Sequence, residues 1–292
     1  MLFFDTHCHL NFEAFDGKVS DVIAEAKRSK VLEIVIPGTD VPTSEKAIAI
    51  AEKYEGIYAA VGIHPHHIYQ FLTKTRSSET QIFQKTYETE KFAFSSDLKN
   101  IENLLKNEKV VAIGEIGIDR HYYLKTKHQD YQVNEEFVEL QKKFFLEQIK
   151  LAHSYKKSLI FHNREAKKDM LDILTNHSSL IPDYSSVFHC CEADLELLKF
   201  AKDHKMFIGV DGDITYSKDK QEFIKNVPLE MLVLETDSPF LNPEPLRSKE
   251  GGTKNEPKNI PLIAKFIADL KGISIEKLSE QTTENARKLF KI

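Results

Sequence analysis

Near the start of the chain, the apolar run of "MLFFDTHCHL" ends in Asp5-Thr6-His7-Cys8-His9. Side chains alternate along a strand, so His7 and His9 face the same side and can put two imidazoles on one ion. Cys8 then faces the other way and is read as a packing residue. Asp5 shares the histidines' face; an orienting or structural role is expected, since ligating imidazoles usually need a partner. Later apolar runs end in the same kind of residue: His64 in "GIHPHH", Glu115 in "GEIGID", His162 in "FHNREA", His189 in "FHCCE" and Asp237 in "ETDSP". One histidine at a strand end is most often a hydrogen-bonded structural residue. Five of the chain's 12 at such ends, with a Glu and an Asp, call for a shared purpose. Imidazole with carboxylate suits Zn, Mn or Fe; Mg and Ca normally prefer oxygen. His7, His9, Glu115 and Asp237 make one mixed set. His162 and His189 can supply a second ion, with Glu115 bridging both. Two ions about 3.5–4 Å apart polarise a phosphoryl or carbonyl oxygen and generate hydroxide near neutral pH. Asp237 is placed to be both a ligand and the base that orients the attacking water.

The elements that must position these residues follow from hydrophobic periodicity. Strand-length apolar runs lie at 2–7, 31–37, 57–63, 110–117, 158–161, 186–188, 206–210 and 231–236. Helical patterns cover 18–29, 43–54 (capped by Thr43 or Ser44), 134–156, 166–176, 193–203, 217–226, 259–271 and 275–290. Strands alternating with helices imply βα units, right-handed crossovers and a parallel sheet. Eight such units point to an α/β fold, a (β/α)8 TIM-type barrel in one domain over 1–292. An open doubly wound sheet has the same near-continuous apolar strands and is the competing arrangement. In a barrel the candidate residues meet at the C-terminal rim, where barrel enzymes place their sites. Two connections, 64–96 and 118–133, are long. An insert at about 66–100 is expected to add a lid or a partner surface.

The net charge of −5 gives no bulk attraction for nucleic acid or an anionic membrane. Any nucleic acid must then be gripped by local basic groups or metal ions. The three cysteines are odd in number and form no C-x-x-C. Adjacent Cys190 and Cys191 rarely bridge without strain. A reducing, cytoplasmic compartment is expected, or a nuclear one in a eukaryote. Cys190 and Cys191 read as small buried groups with no base to activate them. No signal-peptide pattern and no bilayer-spanning apolar run occurs. Loop 120–131 holds Tyr122, Tyr123 and Tyr131 with Arg120, Lys125 and Lys127. It suits either single-stranded nucleic acid or a solvated loop with half-buried tyrosines. Residues 243–258 are nearly charge-balanced, and there only Lys254 and Asn255 are expected to touch a phosphate.

Taken in order, "DTHCHL", "GIHPH", "GEIGID", "FHNREA", "FHC", "ETDSP" and "NEP" resemble the TatD-like metal-dependent deoxyribonucleases of the amidohydrolase superfamily. The resemblance runs over nearly the whole chain, to "TENARKLF". It implies a TIM-type barrel with two divalent ions (Mg, Mn or Zn). The implied activity is metal-activated hydrolysis of DNA phosphodiesters, often as a 3′→5′ exonuclease on single strands. The implied ligands are His7, His9, Glu115 and Asp237 for one ion, and Glu115, His162 and His189 for the other. His64 and Arg164 match family positions near the substrate phosphate. The sequence departs from the family's H-C-F-x-G at His189-Cys190-Cys191-Glu192-Ala193, and from its Tyr after "GEIGID" at Arg120. Two rival readings stand beside this one: a hydrolase of a carboxylic ester, lactone or amide on the same scaffold, and a non-enzymatic scaffold protein.

Overall fold

The computed structural model describes residues 1–76, 96–126, 128, 131–247 and 254–292. Most of the expected insert at 66–100 lies outside the described residues, as does Lys127. The strands are β1 (Phe3–Asp5), β2 (Val31–Pro37), β3 (Ile57–Val61), β4 (Val110–Asp119), β5 (Ser158–Arg164), β6 (Ser186–Phe188), β7 (Phe207–Val210) and β8 (Leu232–Leu234). They form one sheet in sequence order, each pairing in parallel with the next. The last strand returns to the first through backbone beyond their regular ends. Thr6 N–H donates to Leu234 O at 2.9 Å, Asp237 N–H to His7 O at 2.9 Å and His9 N–H to Ser238 O at 2.8 Å, beside a parallel bridge between Cys8 and Ser238. The fold is thus a (β/α)8 TIM barrel, and the doubly wound alternative falls away.

The helices that pack outside the strands are α1 (Val19–Arg28), α2 (Val41–Ala51), α3 (Tyr69–Arg76), α4 (Glu135–Tyr155), α5 (Lys167–Asn176), α6 (Leu195–Asp203), α7 (Lys218–Lys225), α8 (Ile260–Lys271) and α9 (Ile275–Phe290). Residues 96–104 are also helical. The cap of α2 differs from the expected Thr43 or Ser44. Asp40 caps it, accepting from Thr43 N–H at 2.9 Å, while Thr43 Oγ1 accepts from Asp40 N–H at 2.9 Å. This reciprocal pair satisfies amides that the first turn leaves without a helical partner, so α2 starts earlier than periodicity suggests.

Alternation along the strands divides the apolar residues into two cores. Phe3, Ile34, Ile36 and Phe161 belong to the larger one, with the inner faces of the helices. Phe4, Val35, Ala60, Ile160, Val187, Phe207 and Val233 form the smaller one inside the barrel, joined by Ala286, Leu289 and Phe290 of α9. The rings of Phe4 and Phe290 lie 5.9 Å apart. Burying each such ring contributes about 1.5–3 kcal/mol. The strand ends are therefore anchored to a packed interior, and the polar residues beyond them inherit that rigidity. Among the described residues no helix is long and apolar enough to cross a membrane.

Candidate metal centre

The seam between β8 and β1 carries the first group of candidates. His7 is fully buried, His9 nearly so, and their Nε2 atoms lie 3.2 Å apart. His7 Nε2 is 3.6 Å from Glu115 Oε2 and 3.7 Å from Asp237 Oδ1; for His9 Nε2 these separations are 3.7 and 3.4 Å. Donors about 2.0–2.2 Å from a tetrahedral ion lie about 3.3–3.6 Å from one another. The spacing of this cluster is that of a coordination shell. With the protons on Nδ1, both Nε2 lone pairs and both carboxylate oxygens are acceptors pointing at one another, an arrangement a cation satisfies. The residues present fit a divalent ion. Burial and the neighbouring His189 push the His7 pKa down, which favours the neutral, ligating ring.

Asp5 serves this seam without touching the imidazoles. Its Oδ1 accepts from His7 N–H at 3.2 Å and Thr236 N–H at 3.0 Å, and its Oδ2 accepts from Thr236 Oγ1 at 2.6 Å. It fixes the backbone that presents His7 to the backbone that presents Asp237. Burial pushes its pKa up to about 8, against those three hydrogen bonds. Cys8 points into the larger core as a buried free thiol.

The second group lies across β4, β5 and β6. Glu115 falls inside β4, where the pairing register with β5 shifts between Ile113 and Ile116. Such an irregularity re-aims a side chain without ending the strand. Pairing resumes at Ile116–Phe161 and runs through Gly117–His162 to Asp119–Arg164, so His162 lies within β5 and not after it. Glu115 Oε1 is 2.7 Å from His162 Nδ1 and 3.1 Å from His189 Nε2. The two oxygens of Glu115 thus face different histidine pairs, as a bridging ligand requires. Burial opposes the charge on Glu115, but His189, His64 and His162 outweigh it and hold the carboxyl well below its usual range.

Two carboxylates that sequence reasoning missed face these rings. Asp119 Oδ2 is 3.0 Å from His162 Nε2 and accepts from Tyr123 Oη at 2.7 Å; Tyr123 Oη in turn accepts from Arg164 Nη1 at 3.1 Å. Glu235 Oε1 lies 3.5 Å from His189 Nδ1 and accepts from Cys190 N–H. A Cβ at Gly209 would meet both Glu235 oxygens at 2.6 Å, so only glycine leaves room for this buried carboxylate. Burial works against a charged His162, yet its bonds to Asp119 and Glu115 outweigh that and raise its pKa to about 9. A period-2 signal existed for both: Asp119 is four residues from Glu115, and Glu235 two from Asp237.

His64 sits 3.6 Å from Glu115 Oε1 through Nε2, and its Nδ1 accepts from His66 N–H at 3.1 Å. A neutral ring whose Nδ1 accepts carries its proton on Nε2, so that atom is a donor and not a ligand. Burial lowers the His64 pKa and keeps it in that form. Arg164 does not pair with the acids nearest it in sequence, Glu165 and Asp169: Asp169 pairs with Arg120 and Lys142, and Glu165 with His121. Its guanidinium lies 5.2 Å from the Tyr123 ring centre.

The expectation for Asn255 is corrected. Its side chain is fully buried; Nδ2 donates to Thr236 O at 2.9 Å and Leu241 O at 3.2 Å, and Oδ1 accepts from Glu256 N–H at 2.9 Å and Asn259 Nδ2 at 2.8 Å. Every polar valence is committed to the loop after β8, so nothing remains for a phosphate. Lys254 is exposed, with Nζ 3.2 Å from Ala14 O. The departing loop after β6 is tied to β5: Glu192 accepts from Asn163 Nδ2 at 2.6 Å and Glu165 N–H at 2.9 Å. Cys190, Asp211 and Asp213 also have metal-ligand spacing. The ammonium of Lys220 fills that cluster, 2.8 Å from Asp213, 3.7 Å from Asp211 and 3.6 Å from Cys190 Sγ.

The profile of the family described as "TatD related DNase" matches residues 4–291. Over 293 residues, covering 100% of both chains, the sequence is 34% identical to the "uncharacterized metal-dependent hydrolase YabD" of Bacillus subtilis (strain 168). It is 31% identical to a Mycoplasma genitalium protein of the same description, MG009, covering 99% of each chain. The crystal structure of YJJV, a TatD homologue from Escherichia coli K12, is similar with a TM-score of 0.79 at 26% identity, covering 99% of this chain and 98% of that one.

Proposed function

The chain belongs to the TatD-related DNase family, and from that premise we propose that it is a metal-dependent hydrolase that cleaves phosphodiester bonds in DNA, working from single-stranded 3′ ends. The observation that carries this reading is the split engagement of Glu115, whose Oε2 faces His7 and His9 while Oε1 faces His162 and His189. We assign His7, His9, Glu115 and Asp237 to one divalent ion and Glu115, His162 and His189 to the other, with Mg, Mn or Zn as the candidates. Such ions supply Lewis acidity, polarising a phosphoryl oxygen and lowering the pKa of a water molecule. The protein's own groups do the rest. Asp237, held by its N–H to His7 O, orients the attacking water and takes its proton. His64 donates from Nε2 to a phosphate oxygen, and Arg164 clamps another through its guanidinium. With a net charge of −5, the chain grips a strand end through these few groups instead of coating a duplex. Its three free thiols suit a cytoplasmic site of action.

The test is digestion of 5′-labelled single-stranded DNA, run beside a lactone and carboxylic-ester panel. His162→Ala and Asp237→Ala should each lower DNA cleavage by at least about a hundredfold with unchanged circular dichroism. Equal cleavage by the variants overturns the site. Turnover of lactones without DNA cleavage transfers the same centre to carbonyl chemistry.

A further inference from the structure

Next to the first ligand group stands an apolar ring that neither the core nor the ligand shell uses. Phe240 is 52% exposed, and its N–H donates to Asp237 O at 2.9 Å, one turn beyond the proposed base. Its ring meets those of His9 and Phe12 edge-on, with centroids 6.5 and 6.3 Å apart and interplanar angles of 69° and 72°. His9 itself lies flat on Phe12 at 4.2 Å. A single exposed apolar side chain ordinarily needs no explanation. This one is braced on one side by two rings, one of them a candidate ligand. The backbone on both sides of it is also pinned. Asn255 N–H donates to Pro239 O at 3.1 Å and Asn255 Nδ2 to Leu241 O at 3.2 Å. The buried asparagine thus holds the loop that presents the phenyl face.

We infer that Phe240 is a specificity-determining residue: its exposed face is the platform on which the base of the nucleotide at the cleaved end stacks, while that nucleotide's phosphate sits at the ligands. The inference rests on the DNA-cleaving reading above and deepens it. A neutral, rigid ring offers no hydrogen-bond code, so it accepts every base through its π-face and selects for the presence of a base, not its identity. Half of the residue's surface stays accessible for stacking, and the contacts with His9 and Phe12 limit the side-chain entropy lost on binding. The site lies on the His9 and Asp237 side of the centre, opposite Tyr123 and Arg164, so the strand end is held between an apolar and a cationic wall.

The experiment compares wild type, Phe240→Ala and Phe240→Trp on two single-stranded oligonucleotides. One is unmodified; the other carries abasic residues at both ends. Binding is read by fluorescence anisotropy on phosphorothioate versions in manganese, and cleavage on the ordinary ones. Phe240→Ala should raise Kd and KM for the unmodified strand by about five- to a hundredfold with kcat changed less than about twofold. Phe240→Trp should preserve or tighten binding. The end-abasic strand should bind wild type as weakly as the unmodified strand binds the alanine variant, and should not respond to the substitution. Cleavage with no dependence on terminal bases, or an equal alanine effect on both strands, overturns the platform and leaves the nuclease reading intact. If DNA binds but is not cut, the nuclease reading fails and the anisotropy series still decides the platform. If DNA is neither bound nor cut, both fail.

Discussion

The two sides of the barrel mouth are built by different means. At the β8–β1 seam, backbone places the ligands: strand closure sets His7, His9 and Asp237, and Asp5 locks the two chain segments to each other. Among the described residues the outer Nδ1 atoms of His7 and His9 have no hydrogen-bond partner, and His189 Nδ1, 3.5 Å from Glu235, has none either; the contrast rests on His162. On the β4–β6 side, side chains place the ligands. Asp119 holds His162, Glu235 faces His189, and Tyr123 and Arg164 extend the first of these contacts toward the solvent. The seam couples its geometry to global stability, whereas the relay can be retuned without unfolding the barrel. Each of the following measurements can break or sharpen that contrast.

The largest effect is expected at the seam and on stability. Thr236→Val removes the hydroxyl that donates to Asp5 Oδ2 and accepts from Ser238 Oγ at 2.7 Å. Leaving a buried carboxyl short of a donor costs about 1–3 kcal/mol. Urea unfolding should show that loss. An unchanged midpoint would mean that the seam is not held as described.

The relay side should respond in the opposite sense. Asp119→Asn keeps the size of the side chain but removes the charge that orients His162. Loss of such an outer partner costs about 10–100-fold in metal affinity or activity. Titration with manganese, followed by calorimetry, should show this weakening, with the urea midpoint falling less than in Thr236→Val. A stability loss as large as that of Thr236→Val, with metal affinity intact, would abolish the distinction between the two sides.

Proton competition supplies a third contrast. Asp119 and Glu115 raise His162 to about 9, whereas burial lowers His7. Metal must displace a proton from His162 below that value, and none from His7. His189 is raised as well, by Glu115 and Glu235 against its burial, so two protons compete with metal there. Affinity at the relay side should therefore rise by up to about a hundredfold per pH unit between pH 7 and 9, more steeply than at the seam. Two calorimetric phases with the same pH slope would refute the assignment.

This contrast also explains what could be read in the sequence. His7 and His9 were legible because two residues on one strand face share a side whatever the rest of the fold does. Glu115, His162, His189 and Asp237 were legible as polar ends of apolar runs, and the same runs gave the eight-stranded barrel. Strand bounds were less so. The register shift in β4 and the pairing that continues through His162 and Arg164 come from the meeting of β4 with β5. Asp119 and Glu235 stood inside motifs already singled out, yet their roles depend on where the imidazole nitrogens point. Asn255 misled for the reverse reason. A polar residue in a loop beside basic ones looks available, and only packing against the loop after β8 shows that it is spent.

The smallest effect tests how far the relay reaches. Tyr123 touches no candidate ligand; it donates to Asp119 and receives from Arg164. Burial and the adjacent Asp119 raise its pKa, so it remains a neutral donor at working pH. Tyr123→Phe keeps the ring beneath Arg164 and deletes both hydrogen bonds. A net hydrogen bond contributes about 0.5–1.5 kcal/mol, so DNA cleavage should fall by roughly two- to tenfold. The division between constants carries the information. If Tyr123 positions Arg164 for the phosphate, KM rises; if it steadies Asp119 behind His162, metal affinity falls and KM at saturating metal is unchanged. A loss in both would mean that phosphate and metal engage a single hydrogen-bonded unit. The seam, which among the described residues has no such hydrogen-bonded relay to the surface, should show no corresponding coupling.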